Sequence, residues 1–124
     1  MPVFPQTRLR PTAMLLVAVL VGPAMASAAS PEEAPFLAEN AAAMTKMMDA
    51  MHIKPSGDVD KDFVAMMVAH HQGAIDMARA QLRYGHNEQL RRMAQEIIVT
   101  QQQEIAAMLL AIGQRLPPSF SSLD

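Results

Sequence analysis

Apolar residues recur every three or four positions along three segments of the chain, which is the spacing that places them on one side of an α-helix. No segment shows the strict alternation of a β-strand. Proline and glycine separate the three segments. The pattern predicts helices from about Pro35 to Met51, Lys61 to Tyr84 and Asn87 to Arg115, and hence an all-α fold.

Residues typical of helix ends support these boundaries. Ser30-Pro31-Glu32-Glu33 resembles a capping box in front of the first helix, although Pro35 offers a second starting point. The other boundary signals are Asp58, Asp60 and Asp62 before the second helix, Gly85 after it, Asn87 before the third helix and Pro117-Pro118 after it.

The short link around Gly85 to Asn87 predicts that the second and third helices form an antiparallel hairpin. The link between the first two helices is longer, so the position of the first helix along the second is less constrained. Three helices on so short a chain bury a limited core. A short antiparallel bundle is therefore expected, completed by a second copy of the chain or by a bound metal.

The N-terminal segment has the order of a secretory signal peptide. Arg8 and Arg10 precede the apolar run Met14 to Gly22, and small residues follow it. The run is shorter than the roughly 20 residues that a membrane-spanning helix needs. Cleavage is expected after Ala26, Ala28 or Ala29, which gives a periplasmic or secreted mature protein with no membrane span.

Three regions are therefore predicted: a signal peptide over 1–29, a helical domain over 30–118 and a disordered tail over 119–124. Cleavage would remove two of the ten basic residues and none of the twelve acidic ones, so the mature charge would be −4. Such an acidic balance argues against nucleic acid as a partner.

Composition restricts the chemistry of any metal site. The chain has no cysteine, so an exported form has neither disulfides nor thiolate ligands. It has twelve methionines, nine of which follow Ala29, and methionine is not among the common residues of globular domains. A soft metal site would therefore use thioether sulfur and imidazole nitrogen.

The second predicted helix carries two adjacent histidines on its apolar side. A helical wheel places His70 and His71 on the same side as Phe63 and Met67, opposite Asp76 and other charged residues. Met67 precedes the histidines by three and four residues, so its side chain lies one turn earlier on the same side. Both imidazoles are predicted to face the interior.

Two polar residues interrupt the apolar stripe of the third predicted helix. Gln101 and Glu104 stand in a stripe that continues to Met108. A buried carboxylate needs a partner, and an imidazole N–H of the neighbouring helix is suited to that role. We predict that Gln101 and Glu104, with Met108 beside them, form the shell that orients the histidines.

Thioether and imidazole ligands favour Cu(I) or Ag(I) over zinc, magnesium or calcium, and imidazole can also bind Cu(II). The glutamates that a di-iron bundle places three residues before its histidines are replaced by Met67 and Val68. A calcium loop beginning at Asp58 fails because Phe63 and Ala69 occupy its glycine and glutamate positions. No nucleophile or phosphate-binding motif is present, so no enzymatic activity is expected.

A purely structural interpretation stays open at this point. Methionine at helical spacing commonly fills a core, and a single histidine on an apolar side is often a hydrogen-bonded core residue. The alternative function is a metal-free helical interaction module that self-associates or binds a partner through its methionine-rich surface. His52 and His86 are expected in solvent, although either could join a peripheral site.

Two sequence blocks resemble the domain of unknown function 305 family (DUF305). Gly57 to Phe63 leads into Met67 to Ala78 with the paired histidines, and the stretch from Leu90 to Met108 agrees as well. The similarity extends over about Met44 to Leu110. It implies a ferritin-like helical fold, an exported location and, by similarity to CopM-like periplasmic proteins, copper binding or copper tolerance.

The resemblance also implies a set of metal ligands. They are Met67, His70, His71 and Met77 on the second helix and Met44, Met48 and Met51 on the first. Relatives often have Ile-Pro where this chain has Val68-Ala69, so the helix is expected to run straight through the site. The implied function is Cu(I) sequestration, transfer or tolerance, with a second copy of the chain or a periplasmic copper-handling protein as partner.

Overall fold

The computed structural model describes residues 30–118, which form helices α1 (Glu33–Met51), α2 (Val59–Tyr84) and α3 (Glu88–Ala111). Residues 30–118 contain no strand, so the predicted all-α class and the three helices are confirmed. The predicted signal peptide and C-terminal tail lie outside the described residues. Within the described part, each helix is too short or too polar to cross a membrane.

A reciprocal capping box begins α1. The Ser30 hydroxyl accepts a hydrogen bond from the Glu33 N–H at 3.0 Å, and the Glu33 carboxylate accepts one from the Ser30 N–H at 3.2 Å. Pro35 then falls in the first turn, where its missing N–H leaves no hydrogen bond unmade. The helix therefore starts at the capping box and not at Pro35.

Side-chain caps also begin the other two helices, as predicted. The Asp58 carboxylate accepts hydrogen bonds from the backbone N–H groups of Lys61 at 3.2 Å and Asp60 at 3.0 Å. These hydrogen bonds stabilise the charged carboxylate and lower the pKa of Asp58, and the one from the Lys61 N–H has the largest effect. The side chain of Asn87 caps α3 through two N–H groups of the first turn, each at 3.0 Å.

Helix α3 ends earlier along the chain than predicted. The helix ends at Ala111, before the expected Arg115, because Gly113 takes a left-handed conformation with φ 74°. The N–H groups of Gly113 and Gln114 bond back to carbonyls of the last turn at 3.0 and 2.9 Å. This glycine cap stops the helix before Pro117 is reached.

The three helices form a single layer with α2 in the centre. Gly73 of α2 lies against Met47 of α1, whereas His71 contacts Glu104 of α3. Residues two positions apart on a helix point in directions about 200° apart, so α1 and α3 lie on opposite sides of α2. The outer helices pack along α2 and have little contact with one another. Two broad faces of the layer are therefore open.

Small side chains dominate the interior. Within residues 30–118, only Ile75 combines a large side chain with almost complete burial, at 1% exposure. The buried apolar residues are Ala43, Val64, Ile75, Ala78, Ala80, Ala94 and Ile105. Four of these seven are alanines, which let the helices approach closely but remove little apolar surface from water.

One open face of the layer carries ion pairs between α1 and α2, and we call it the charged face. Asp76 contacts Lys46 and Arg79, each at 3.3 Å, and Glu39 contacts Arg83 at 3.0 Å. Exposed pairs of this kind contribute about 0–1 kcal/mol each. The prediction that Asp76, Arg79 and Arg83 lie opposite the histidine side of α2 is confirmed.

Tyr84 offers a spectroscopic test of how α1 packs on α2. It donates a hydrogen bond to Glu39 at 2.7 Å, which raises the pKa of its phenol. Because the folded state favours the neutral phenol, its contribution to stability is complete below the unfolded pKa of about 10 and is lost as pH rises through the folded pKa. Tyr84 is the only tyrosine, so its near-ultraviolet absorbance can be titrated directly.

We expect a titration midpoint above that of a tyrosine peptide, and Glu39→Gln should move it down towards the peptide value. Glu96 is an exposed carboxylate on α3, so Glu96→Gln serves as the control and should leave the midpoint unchanged. A wild-type midpoint equal to that of the peptide would contradict the hydrogen bond to Glu39.

Candidate functional site

The centre of the site is a partly buried hydrogen bond between α2 and α3. His71 is 7% exposed, and its Nε2 lies 2.6 Å from Oε2 of Glu104. The Glu104 side chain is itself about half exposed, at 51%. The prediction that a glutamate of the third helix contacts a histidine of the second is confirmed. This contact fixes the orientation of the imidazole ring.

The second ring nitrogen of His71 has no such partner. Its Nδ1 is buried and makes no hydrogen bond to any atom of residues 30–118. When Nε2 donates its proton to Glu104, the neutral ring keeps a free lone pair on Nδ1. A buried polar atom without a partner costs about 1–3 kcal/mol, so it calls for an explanation. A lone pair held in a fixed direction is what a metal ligand requires.

A second side chain supports Glu104. The amide of Gln101 donates to the same Oε2 of Glu104 at 3.4 Å, one turn earlier on α3. Gln101 and Glu104 thus form a hydrogen-bonded chain behind His71, as predicted. Met108 is half-buried one turn further along α3.

His70 occupies a different environment from its neighbour. It is exposed, and its ring centroid lies 6.0 Å from that of His71 with the planes inclined by 66°. The prediction that both imidazoles face the interior is right for His71 and wrong for His70. Adjacent helix residues point about 100° apart, and α3 covers only one side of α2. His70 therefore lies at the open face, as does Phe63, which is 53% exposed.

Contacts between α1 and α2 place the remaining predicted ligands. Met47 faces Gly73, and Lys46 pairs with Asp76. Because α1 and α2 are antiparallel, these two contacts place Met44 level with Met77 and Met51 level with His70. Three of these sulfur-bearing side chains are exposed: Met44 by 50%, Met48 by 49% and Met77 by 36%. Met51 and Met67 are half-buried.

These side chains share one open face of the layer. On α1, Met44 and Met48 project from the side opposite to Lys46. On α2, His70 and Met77 project from the side opposite to Arg79. We call this surface the methionine face. It consists of Leu37, Met44, Met48, Phe63, Met67, His70, Met77, Leu90, Met93 and Ile97, with the Glu104 carboxylate at its α3 side.

Hard-metal ligands do not converge in the described part of the chain. Within residues 30–118, no three His, Asp or Glu side chains are grouped so that they could hold a metal ion. Met67 precedes His70 and His71 by one turn, so it is the sulfur nearest to both rings along α2.

The other two histidines lie outside this arrangement. The Nδ1 atom of His52 is 2.7 Å from the carbonyl oxygen of Met48, and the Nε2 atom of His86 is 2.6 Å from Glu32 Oε2. Both residues are exposed, as expected.

Sequence reasoning missed the contact that positions α1. The side chain of Met47 packs against Gly73, where it fills the space that a Cβ would occupy. A glycine in the middle of a helix is a signal of such close packing. Tyr84, for which no role was predicted, joins the same two helices through Glu39.

The fold and the site define a small, layered all-α protein in which a buried histidine pairs with a half-exposed glutamate beside a methionine-rich surface. The family model described as Domain of unknown function (DUF305) matches residues 18–111. The chain therefore belongs to the DUF305 family, in agreement with the resemblance. No curated protein matches it.

Proposed function

We propose that this protein binds Cu(I) through methionine and histidine side chains, and that it sequesters copper or passes it on outside the cytoplasm. One observation carries the proposal. Glu104 holds the ring of His71 through Nε2, while the buried Nδ1 has no partner among residues 30–118. A lone pair oriented in this way, on a residue one helical turn after Met67, suits a soft cation.

The donors available at the site favour copper over harder metals. His71 offers nitrogen, Met67 offers sulfur, and His70 lies exposed beside them with its ring 6.0 Å from that of His71. Zinc, magnesium and calcium prefer carboxylates, thiolates or groups of histidines. The chain has no cysteine, and its described part has no such group of three.

The remaining predicted ligands suit a role in transfer. Met44, Met48 and Met77 are exposed on the methionine face, and Met51 lies level with His70 at its border. Exposed thioethers near a buried imidazole would let copper enter and leave without unfolding the bundle. We therefore propose a periplasmic copper-handling protein as partner and no enzymatic turnover. Cleavage of the N-terminal segment would place the protein in that compartment.

Metal titration tests this function directly. We expect the protein, expressed from its full-length chain, to compete with a colorimetric chelator for Cu(I) under reducing, anaerobic conditions. Ag(I) should bind in the same way, and Zn(II) much more weakly. Binding to the folded state should raise the melting temperature with metal concentration. Failure to take Cu(I) from the chelator, together with an unchanged melting temperature, would refute the proposal.

Glu104 is proposed as a positioning residue for the His71 ring. We expect Glu104→Ala to lower Cu(I) affinity by about 10- to 100-fold, because the ring loses the group that orients it. Glu104→Gln keeps an acceptor oxygen for Nε2 and should restore most of the affinity. Chelator competition measures both variants, with Glu96→Ala on the exposed side of α3 as the matched control. Equal affinities for Glu104→Ala and the control would exclude this role.

A further inference from the structure

The methionine face is an unpartnered apolar surface that extends over all three helices. Each helix contributes at least one large apolar side chain that is about half exposed. The clearest cases are Leu37 51%, Met44 50%, Met48 49%, Phe63 53%, Leu90 50% and Met93 55%. Single exposed apolar residues are common on proteins, but a continuous patch of this kind is typical of a contact surface.

The charge on this face favours a second copy of the chain as its occupant. Lys46, Asp76, Arg79 and Arg83 all lie on the opposite, charged face. On the methionine face the acidic side chain is Glu104, and His71 already binds it. Because Glu104 lies at the α3 side of the face, the rest of two such faces can meet without repulsion between like charges, whereas a charged partner would find few groups to pair with.

The dimensions of the face are also sufficient for a dimer. Helices of 19 to 26 residues are about 28–39 Å long at 1.5 Å per residue, and packed helices are spaced about 8–10 Å apart. Three of them side by side present on the order of 800 Å², which is the area per partner of a standard interface. The face is flat because α1 and α3 both lie beside α2.

We propose that two copies pack together through their methionine faces, and that each copy supplies soft ligands to the metal site of the other. The metal part of this inference rests on the proposed function. His70 and Met77 project away from both neighbouring helices, so a metal held by one copy has its outer side open to water. A two-fold arrangement would cover that side with the same donors from the second copy.

Lysine substitutions on α3 test the contact between copies. Leu90 and Ile97 lie on the methionine face and are not proposed ligands. We expect the wild-type protein to sediment as a dimer at micromolar concentration, and the Leu90→Lys, Ile97→Lys double variant to sediment as a monomer with unchanged helicity. Val99 and Leu110 are 54% and 58% exposed on the other side of α3, so their double lysine variant is the matched control and should remain dimeric.

Cu(I) affinity tests whether the copies share ligands. The monomeric Leu90→Lys, Ile97→Lys variant should bind Cu(I) at least about tenfold more weakly than the Val99→Lys, Leu110→Lys control. By reciprocity, Cu(I) should strengthen dimerisation of the wild type by the same factor. His70→Ala should weaken Cu(I) binding by the dimer.

The outcomes separate this inference from the proposed function. A wild type that is monomeric with and without Cu(I) would overturn the dimer, and a monomeric lysine variant with full Cu(I) affinity would overturn the sharing of ligands. A dimer that binds no Cu(I) would support the contact between methionine faces while refuting both the shared site and the copper function.

Discussion

Replacing both His70 and His71 with alanine is expected to lower the affinity for Cu(I) by at least about 100-fold. The variant loses the nitrogen that Glu104 orients and the exposed ring beside it, and a tenfold loss for each ligand corresponds to about 1.4 kcal/mol. The methionine sulfurs would remain, so weak residual binding is expected. Competition with a chelator of known affinity measures the change.

The matched control is the double variant His52→Ala, His86→Ala. It removes the same number of imidazoles from exposed positions that lie outside the site, and it should keep wild-type affinity. Because His71 is buried, its loss also affects packing, so the single variant His70→Ala provides a second test. That variant should retain full helicity and lose about tenfold in affinity. Wild-type affinity in both His70→Ala and the His70, His71 double variant would exclude these side chains as ligands.

Substituting alanine for Gly73 is expected to lower the free energy of unfolding by about 1–2 kcal/mol. An added Cβ would lie 2.7 Å from the sulfur of Met47 and 2.9 Å from its Cβ, so α1 would have to move outward. Overpacking of this kind costs about 1–3 kcal/mol, of which the better helix propensity of alanine offsets up to about 1 kcal/mol. Urea denaturation followed by circular dichroism measures the difference.

A double-mutant cycle assigns this cost to the contact with Met47. In the Gly73→Ala background, Met47→Ala removes the sulfur and Cγ that clash with the new methyl group and keeps only the Cβ, so it should cost at least about 1 kcal/mol less than in the wild type. Two outcomes would contradict the close approach of α1 to α2. One is a Gly73→Ala variant with the same free energy of unfolding as the wild type, and the other is an equal destabilisation by Met47→Ala in both backgrounds. Glu96→Ala, on the exposed side of α3, controls for helix propensity and should change stability by less than about 0.5 kcal/mol.

The helices were predictable because their limits depend on local interactions. The capping box at Ser30 and the caps at Asp58 and Asn87 act within one turn of their own helix, and the residue types alone identify them. The end of α3 was placed too late because Pro117 was taken as the stop. Gly113 ends the helix first, since its left-handed conformation satisfies the last carbonyls.

The pairing of His71 with Glu104 was predictable because a carboxylate within an apolar stripe pairs well with an imidazole of the neighbouring helix, although the structure leaves about half of the Glu104 side chain exposed. The level at which the helices meet was less certain. Counting from the turn placed the histidines opposite Gln101, but Glu104, one turn further along, makes the contact. A hairpin with a link of several residues can shift by one helical turn, and side-chain packing then selects the register.

The amino-acid sequence by itself determined the three helices, the side of α2 that carries His71, and the soft character of the available ligands. Tertiary structure decided the rest. A helical wheel divides a helix into an apolar and a polar half, but in this layer α1 and α3 cover opposite sides of α2. That arrangement buries His71, leaves His70 at the open face and packs Met47 against Gly73, because each outcome depends on which helix occupies which side.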